Sequence, residues 1–412
     1  MKILYRLAVI AAFVAIFTLV ISYARGYRID FKKKSVTPTG ILAINSFPKA
    51  AKIYLNGELK GITDTNLTLL PGQYRIEIKK DGYTSWTKTV KLKGELVLSL
   101  EALLFPINPS LSPLTNLGIV KAIPIDQTEK IILLTENGDS LKDGIYLFEN
   151  KKPLSFMAPL KLIVLKSNIP NADAIDLKST NVYFSPDYKQ AVFDFFTDSG
   201  NTSKETVAYA SYLLSLDEEN KNLFDITLSK ETLLEAWNKE KEKNNLKVLE
   251  TFPKEIAKIA TDSFHIISFS PDETKILYRA NKPINLPFVI KPPLIATNQT
   301  QESRLLTTNN LYIYDKKEDK NFVVENVIKT DITNNGEIDS NILWYPDSKH
   351  LIINEGKKIS IIDYDNENKQ TIYSGPFEAN FFTSTTDGKI IVLTNLNPET
   401  NKLPDLYLVG IK

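Results

Sequence analysis

A short turn motif recurs in the C-terminal part of this chain, and it constrains the possible folds more than any other feature. Phe-Ser-Pro-Asp occupies 184–187 and 269–272, Trp-Tyr-Pro-Asp occupies 344–347, and a degenerate Ser-Thr-Thr-Asp-Gly-Lys occupies 384–389. Each copy precedes an apolar stretch typical of a β-strand, and a second such stretch tends to follow. The aspartates of the last two copies are 40 residues apart, close to a four-stranded propeller blade of about 40–45 residues. The repeat predicts sheets packed side by side around an axis.

Residues 118–412 are therefore predicted to form an irregular β-propeller of about five blades, with six as the alternative. Insertions interrupt the earlier blades, because the first copies of the turn are farther apart than the last two. One insertion, at about 229–260, is predicted to be helical, since Ser229 can cap a helix and an apolar helix face follows it. That face comprises Leu233, Leu234 and Trp237. We expect a helical cap folded against the propeller, and a partner-docking helix is the alternative.

The second insertion, at 283–296, contains four prolines among large apolar residues. Proline removes a hydrogen-bond donor from a strand ladder, so this segment cannot be a central strand. We expect it to lie extended on the propeller surface. A lid or an exposed recognition loop is the alternative.

The repeated turns resemble those of the TolB-like and WD-like β-propeller families, whose blades carry a Ser-Pro-Asp-Gly-Lys turn between adjacent strands. Only the copy at 384–389 completes that turn with Gly-Lys. The resemblance implies a mainly β fold for the C-terminal region. It does not imply a catalytic site. We interpret the recurring aspartates as turn residues, because an aspartate after proline can accept hydrogen bonds from its own backbone.

The N-terminal segment contains eighteen residues without a charge, from Leu7 to Ala24. A helix of that length is about 27 Å long, close to the hydrocarbon thickness of a bilayer at about 30 Å. We therefore predict an uncleaved transmembrane anchor over residues 1–24. A cleaved signal peptide is the alternative, because Ser22 and Ala24 are small residues with the spacing of a cleavage site.

The charges around this helix favour two opposite orientations. Five basic residues follow it within a juxtamembrane linker at 25–39, and the positive-inside rule would keep them in the cytoplasm. A short N-terminal tail before one apolar helix instead suits a signal anchor that exports the residues after it. We predict a single-pass membrane protein whose C-terminal domains are extracytoplasmic.

Residues 40–103 are predicted to form a small β domain, which the resemblance described below identifies as a β-sandwich. Asn56-Gly57 is a preferred pair for a two-residue hairpin turn, in which both residues need a positive φ. Leu70-Pro71-Gly72 and Asp81-Gly82 mark two further turns between alternating apolar and polar stretches. A Pro-rich linker at 104–117 is expected to join this sandwich to the propeller.

The same stretches resemble the PEGA domain, a small β-sandwich module of bacterial envelope and surface proteins. The residues that carry the resemblance are Gly40-Ile41-Leu42, Ser46-Phe47-Pro48, Ala51-Lys52-Ile53-Tyr54-Leu55-Asn56-Gly57, Leu70-Pro71-Gly72-Gln73-Tyr74 and Lys80-Asp81-Gly82-Tyr83. Ala50 departs from the pattern, because it replaces a glycine where a positive φ would be needed. The resemblance implies a binding or spacing module beside a membrane anchor, and no catalytic residues.

Three aromatic side chains are candidates for partner binding: Tyr83, Trp86 and Trp237. Aromatic rings on a protein surface stack on sugars and pack against partner proteins. The alternative for each is that the ring packs into the core of its own domain.

Composition excludes several kinds of chemistry. The chain has no cysteine and two histidines, so thiol nucleophiles, thiolate zinc sites and disulfides are excluded. We expect His265 at a core or edge position and His350 exposed in a turn. The loop 363–368 has alternating oxygens but lacks the glycine of a calcium loop. The 50 Lys+Arg balance 49 Asp+Glu, so no basic field for nucleic acid is present.

The sequence therefore predicts a non-catalytic, membrane-anchored binding or scaffold protein of the cell envelope, with no metal or cofactor. Its propeller would present a face to an envelope protein or a glycan. Two alternatives remain. One is an envelope hydrolase that uses carboxylates of the propeller loops, and the other is an accessory or sensor subunit that docks another membrane protein.

Overall fold

A computed structural model describes residues 2–24, 26–30, 35–125, 128–150, 159–197, 208–295, 297–324, 341–399 and 401–411. The chain divides into two compact units. The first unit is Met1–Asn108 together with Ile290–Glu302, and the second is Pro109–Val289 together with Ser303–Lys412. A piece of the C-terminal sequence thus belongs to the N-terminal unit.

The first unit begins with one long apolar helix, α1, which spans Lys2–Ala24. Its stretch Tyr5–Tyr23 is long and apolar enough to cross a membrane, and none of it is buried against the protein. A two-stranded hairpin follows, formed by β1 (Tyr27–Asp30) and β2 (Ser35–Pro38). The predicted juxtamembrane linker at 25–39 therefore contains a paired hairpin.

A β-sandwich forms the rest of the first unit. Its strands are β3 (Gly40–Phe47), β4 (Lys52–Leu55), β5 (Glu58–Ile62), β6 (Thr65–Leu69), β7 (Gly72–Lys79), β8 (Trp86–Leu92) and β9 (Val97–Leu103). One sheet has the order β6-β3-β9 and the other β5-β4-β7-β8. The strands alternate buried and exposed residues, as half-buried strands do. Leu42 and Ile44 of β3 meet Ile76 and Ile78 of β7 in one core cluster.

The turns of the sandwich follow the sequence closely. Asn56 and Gly57 both have positive φ, at 52° and 87°, and they join β4 to β5 as predicted. Ala50 also has a positive φ, of 59°, so this position is left-handed in this chain although it holds an alanine. The Ala50 N–H donates a hydrogen bond to the Thr63 carbonyl, and the Ala51 N–H donates one to the Thr63 hydroxyl. These two hydrogen bonds stabilise the turn.

The second unit is built from consecutive four-stranded antiparallel sheets. It opens with β10 (Ser110–Pro113). The first sheet contains β11 (Ile119–Pro124), β12 (Lys130–Thr135), β13 (Gly144–Glu149) and β14 (Leu160–Leu165), and the second contains β15 (Ile175–Phe184), β16 (Gln190–Thr197), β17 (Ala210–Ser215) and β18 (Phe224–Asp225). The third contains β19 (Phe264–Phe269), β20 (Lys275–Ala280), β21 (Leu311–Asp315) and β22 (Lys320–Val324).

The fourth sheet contains β23 (Ile342–Trp344), β24 (His350–Asn354), β25 (Ile359–Asp363) and β26 (Gln370–Tyr373), and the fifth contains β27 (Phe382–Ser384), β28 (Ile390–Thr394) and β29 (Asp405–Gly410). The first strand of the unit, β10, completes the fifth sheet by pairing with the last strand, β29. The predicted linker at 104–117 is therefore wrong over Ser110–Pro113, because these residues form a strand of the second unit.

One aspartate, Asp405, stabilises the junction between the first and last strands of the second unit. The Asp405 carboxylate accepts hydrogen bonds from the Thr115 hydroxyl at 2.9 Å and from the backbone N–H of Leu117 at 2.7 Å. It also accepts one from the Gly118 N–H at 3.3 Å. Because Asp405 begins β29 and its partners follow β10, a single buried carboxylate ties together segments nearly 300 positions apart in the chain.

Neighbouring sheets share apolar cores. The first and second sheets pack in one cluster that includes Leu134 and Phe193, and the first also packs with the fifth through Leu133 and Leu393. The third and fourth share a cluster that includes Ile313. A series of four-stranded sheets closed by a strand from the other end of the domain is the strand order of a β-propeller.

Two helices lie between the second and third sheets in the sequence: α2 (Lys230–Leu249) and α3 (Lys254–Ser263). The first half of α2 packs on the second sheet, and its end packs with α3 against the third sheet.

Candidate binding surfaces

Two of the three aromatic candidates are covered by their own domains. Trp86 is 4% exposed and lies in the core cluster of the sandwich. Trp237 is 9% exposed and packs with Val192 and Ile226. Tyr83 is half-buried and packs against the sandwich core. Both tryptophans thus occupy packing positions, and binding of a partner by either ring would require it to be uncovered.

A buried polar cluster fixes the start of α2 on the second sheet. The Lys230 ammonium donates to the Asp194 carboxylate at 2.9 Å, and the Ser211 hydroxyl donates to the same carboxylate at 2.6 Å. Asp194 is 2% exposed, so its charge is stable there because both partners satisfy it. This cluster anchors the helix to the sheet.

An exposed apolar patch lies beside that anchor. Phe224 of β18 is 67% exposed, and Leu228, just before α2, is fully exposed. Ile226 between them is buried in the cluster with Trp237. We call Phe224 and Leu228 the β18 patch. Both large apolar side chains are exposed to solvent within five residues of each other in the sequence.

The repeated turns are structural. The Ser185 hydroxyl donates to the Asp187 carboxylate at 2.7 Å, and the Ser270 hydroxyl donates to Asp272 at 2.7 Å. In the degenerate turn, Thr385 donates to Asp387 in the same way. Hydrogen bonds from Ser185 and from the Lys189 N–H lower the pKa of Asp187. Each of these aspartates is therefore engaged by its own turn, as the sequence interpretation held.

In the fourth sheet, the aspartate of the turn pairs with a histidine side chain instead of with a serine or threonine hydroxyl. His350 is 6% exposed, so the expectation that it is exposed is wrong. Its Nδ1 lies 2.7 Å from Asp347 Oδ2 and its Nε2 lies 3.1 Å from Asp363 Oδ1. Burial opposes the positive charge, but the hydrogen bonds and charges of the two aspartates prevail and raise the pKa of His350 to about 10. Both ring nitrogens therefore donate, and the side chain is an imidazolium between two carboxylates. His265 is exposed on β19.

Hydrogen bonds also join turns of different sheets. The Asp272 N–H donates to the Ser348 hydroxyl at 3.0 Å, which links the third sheet to the fourth. The Tyr345 hydroxyl donates to the Gly388 carbonyl at 3.0 Å, which links the fourth to the fifth. Thr386 donates to Glu129 of the first sheet through its N–H at 2.6 Å and through its hydroxyl. These turns thus bind sheet to sheet.

Within the described residues, no group of three or more His, Asp or Glu side chains is placed to hold a metal ion. The loop 363–368 is closed on itself instead. The Asn368 amide donates to Asp363 at 2.8 Å, and the Asn366 N–H donates to the Asp363 carbonyl at 2.9 Å. The Asp363 carboxylate is also occupied by His350, so this loop serves the fourth sheet.

The β-sandwich of the first unit was compared with known protein families. Residues 39–107 match the PEGA domain. The resemblance seen in the sequence is thereby confirmed for the sandwich, which we call the PEGA domain from here on. The match does not extend to the second unit.

Solved structures similar to the chain include propellers. A TolB-like protein of Agrobacterium tumefaciens is 11% identical to this chain, at a TM-score of 0.19. The alignment covers 65% of this chain and 66% of the Agrobacterium protein, which is just under two thirds of that protein's length. The Dos1 propeller is 10% identical, with 93% and 81% covered, at a TM-score of 0.20. A structure from a study of two prolyl endopeptidases is 8% identical, with 84% and 40% covered, at 0.18. Scores this low carry no argument, so the fold assignment of the second unit rests on its strand order. No curated protein matches the chain.

Proposed function

We propose that this chain is a membrane-anchored, non-catalytic binding or scaffold protein of the cell envelope. The observation that carries the proposal is the closeness of α1, an apolar helix with no buried residue in Tyr5–Tyr23, to a PEGA domain whose match begins fifteen positions after the helix ends. An apolar helix of this length is stable in a bilayer and costly to expose to water. In this proposal the PEGA domain is a binding or spacing module next to the membrane anchor.

We further propose that the second unit is a propeller of five blades, one for each four-stranded sheet. Its function is to present a binding face to an envelope protein or a glycan. The engagement of Asp187, Asp272 and Asp387 by their own turn hydroxyls supports a non-catalytic function. These three belong to the propeller-loop carboxylates from which the hydrolase alternative would draw its acid or base.

The test is the position of the C-terminus. A compartment-sensitive reporter fused after Lys412, combined with protease treatment of intact cells, should report the C-terminus outside the cytoplasm. A cytoplasmic, protease-protected reporter would contradict the envelope proposal, because it would mean that the basic residues after α1 stay inside.

The accessory-subunit alternative is favoured by one observation, the β18 patch beside the start of α2. We propose that this patch would dock a neighbouring protein in that case. Phe224→Asp and Leu228→Asp should abolish a crosslink to that partner in membranes while the chain stays folded. Leu141→Asp is the matched control, because Leu141 is 80% exposed in the first sheet. Equal crosslinking in all three variants would contradict this alternative.

A further inference from the structure

The edge of the PEGA domain is occupied by a segment from far along the chain. In the sheet order β5-β4-β7-β8, β8 is an edge strand. The Gln299 side chain lies against it. Its Oε1 accepts from the Lys91 N–H at 2.7 Å, and its Nε2 donates to the Lys91 carbonyl at 3.1 Å. Both residues belong to the first unit.

This contact imitates a strand pairing. The N–H and C=O of one residue in a strand point to the same side, and those of Lys91 both meet Gln299, so they face away from β7. An edge strand presents such pairs of groups to any extended chain that can complete them. The primary amide of Gln299 has the same donor and acceptor as a peptide group, so it fills a position that a partner backbone could fill.

The segment 290–302 is held with little apolar burial. Leu294 is 47% exposed and Ile295 is 65% exposed, and the described residues of the segment include no strand or helix. Segments with few buried apolar contacts open at low free-energy cost. The sandwich core is built from other residues, so release of the segment would break its polar contacts, which include the Gln299 pair, and would leave that core in place.

Charge indicates the kind of partner. The stretch from Trp86 to Lys93 has three lysines and no acidic residue. The resident segment provides one acidic residue, Glu302, and one basic residue, Lys291. An extended segment with more acidic residues would complement the lysines better than the resident does.

We propose that β8 is a docking edge for an extended, acidic segment of a partner protein, and that residues 290–302 are its resident and displaceable occupant. Gln299 is the latch that keeps the edge closed. The proposal concerns the PEGA domain and is independent of what the second unit binds.

The experiment uses the full chain in detergent micelles and three forms: wild type, Gln299→Ala and Gln301→Ala. Gln301 is the matched control, because it is an exposed glutamine two positions from the latch. Hydrogen exchange at the Lys91 amide should be about three- to tenfold faster in Gln299→Ala, since that N–H loses its acceptor, the Gln299 Oε1. It should be unchanged in Gln301→Ala.

The second readout is binding of a labelled peptide. The probe has the sequence of residues 290–302 with Lys291→Glu and Gln301→Glu, and its control carries Gln299→Ala as well. The probe should bind the Gln299→Ala chain about tenfold more tightly than wild type, because the edge is open more of the time. It should restore slow exchange at Lys91, and the control peptide should bind weakly.

Several results would overturn the proposal. Unchanged Lys91 exchange in Gln299→Ala would mean that Gln299 is not the latch. Faster exchange without peptide binding would make the contact purely structural. Protection outside residues 86–93 would place the peptide elsewhere, and dimerisation of Gln299→Ala that protects Lys91 would identify a second copy as the occupant.

Discussion

The PEGA domain and the second unit are both made of β-strands, parallel only between β3 and β9 among the described pairs, but different interactions close them. Strands such as β3 and β4 of the PEGA domain bury one alternating apolar face, and its tight turns are set by neighbouring residues such as Asn56 and Gly57. The second unit also shares apolar cores between its sheets, but it adds hydrogen bonds between distant turns and closes through Asp405, whose partners are almost 300 positions away. The comparison teaches that apolar pattern and local turns specify the sandwich, whereas the second unit adds polar contacts between distant segments to its apolar cores.

Trp86→Ala should have the largest effect and should act on the PEGA domain alone. Removing a buried tryptophan from a core destabilises by about 4 kcal/mol. Denaturant unfolding of the full chain, followed by hydrogen exchange in each unit, measures this. Exchange in β12 and β28 should not change. Equal destabilisation of both units would break the comparison, since it would show that they do not have separate cores.

His350→Ala should be the largest single charge effect in the second unit. It leaves two carboxylates without their cation, which costs about 3 kcal/mol at neutral pH. His265→Ala is the matched control, because that histidine is exposed and its removal should cost less than about 0.5 kcal/mol. Similar losses in both variants would contradict the imidazolium pair.

The same histidine predicts a pH dependence. Its pKa is about 10 in the folded chain and 6.5 in the reference state, so its contribution is complete below pH 6.5 and is lost as pH rises toward 10. The unfolding free energy of wild type should therefore fall across that window more steeply than that of His350→Ala. Parallel curves for the two proteins would contradict the pKa assignment.

Asp405→Ala should loosen the closure of the second unit by about 2 kcal/mol, because a charged acceptor of several hydrogen bonds is removed. Hydrogen exchange should increase first at Leu117 and along β10 and β29. Glu399→Ala is the control, since Glu399 is exposed in the loop before β29. Unchanged exchange in β10 would show that strand pairing alone closes the unit.

Ser185→Ala should have the smallest effect, about 1 kcal/mol for one turn hydrogen bond. The pKa of Asp187 is lowered in the folded chain, so its contribution is present above the ordinary value and is lost as the pH falls through the folded value. The variant should lose less stability on acidification than wild type, as measured by denaturant unfolding. An identical acid profile would mean that Ser185 does not stabilise the carboxylate.

The sequence predicted features that depend on neighbouring residues. The apolar run predicted α1, and the turn signals predicted the strands of the PEGA domain. The recurring aspartates predicted strands of the second unit. It failed where distant residues meet. No sequence pattern in β10 predicts its pairing with β29. The buried ion pair of His350 needs Asp363, which lies on the neighbouring strand of the same hairpin.

The Pro-rich insertion shows the same limit. Its prolines correctly indicate an irregular segment. We expected all of residues 283–296 on the propeller surface, but only residues 283–289 belong to the second unit, and the residues from Ile290 onward belong to the first. The contact of Gln299 with Lys91 spans 208 positions. Periodicity contains no information about such a pair, and only the fold brings the two residues together.

The central claim is that α1 remains attached as a membrane anchor for the PEGA domain and the second unit. The most direct test is the intact mass of the chain recovered from membranes after an alkaline carbonate wash. The account predicts a washed membrane fraction that contains the chain with residues 1–24 still present. A soluble chain that begins after Ala24 would contradict it, because the apolar helix would then be a cleaved signal.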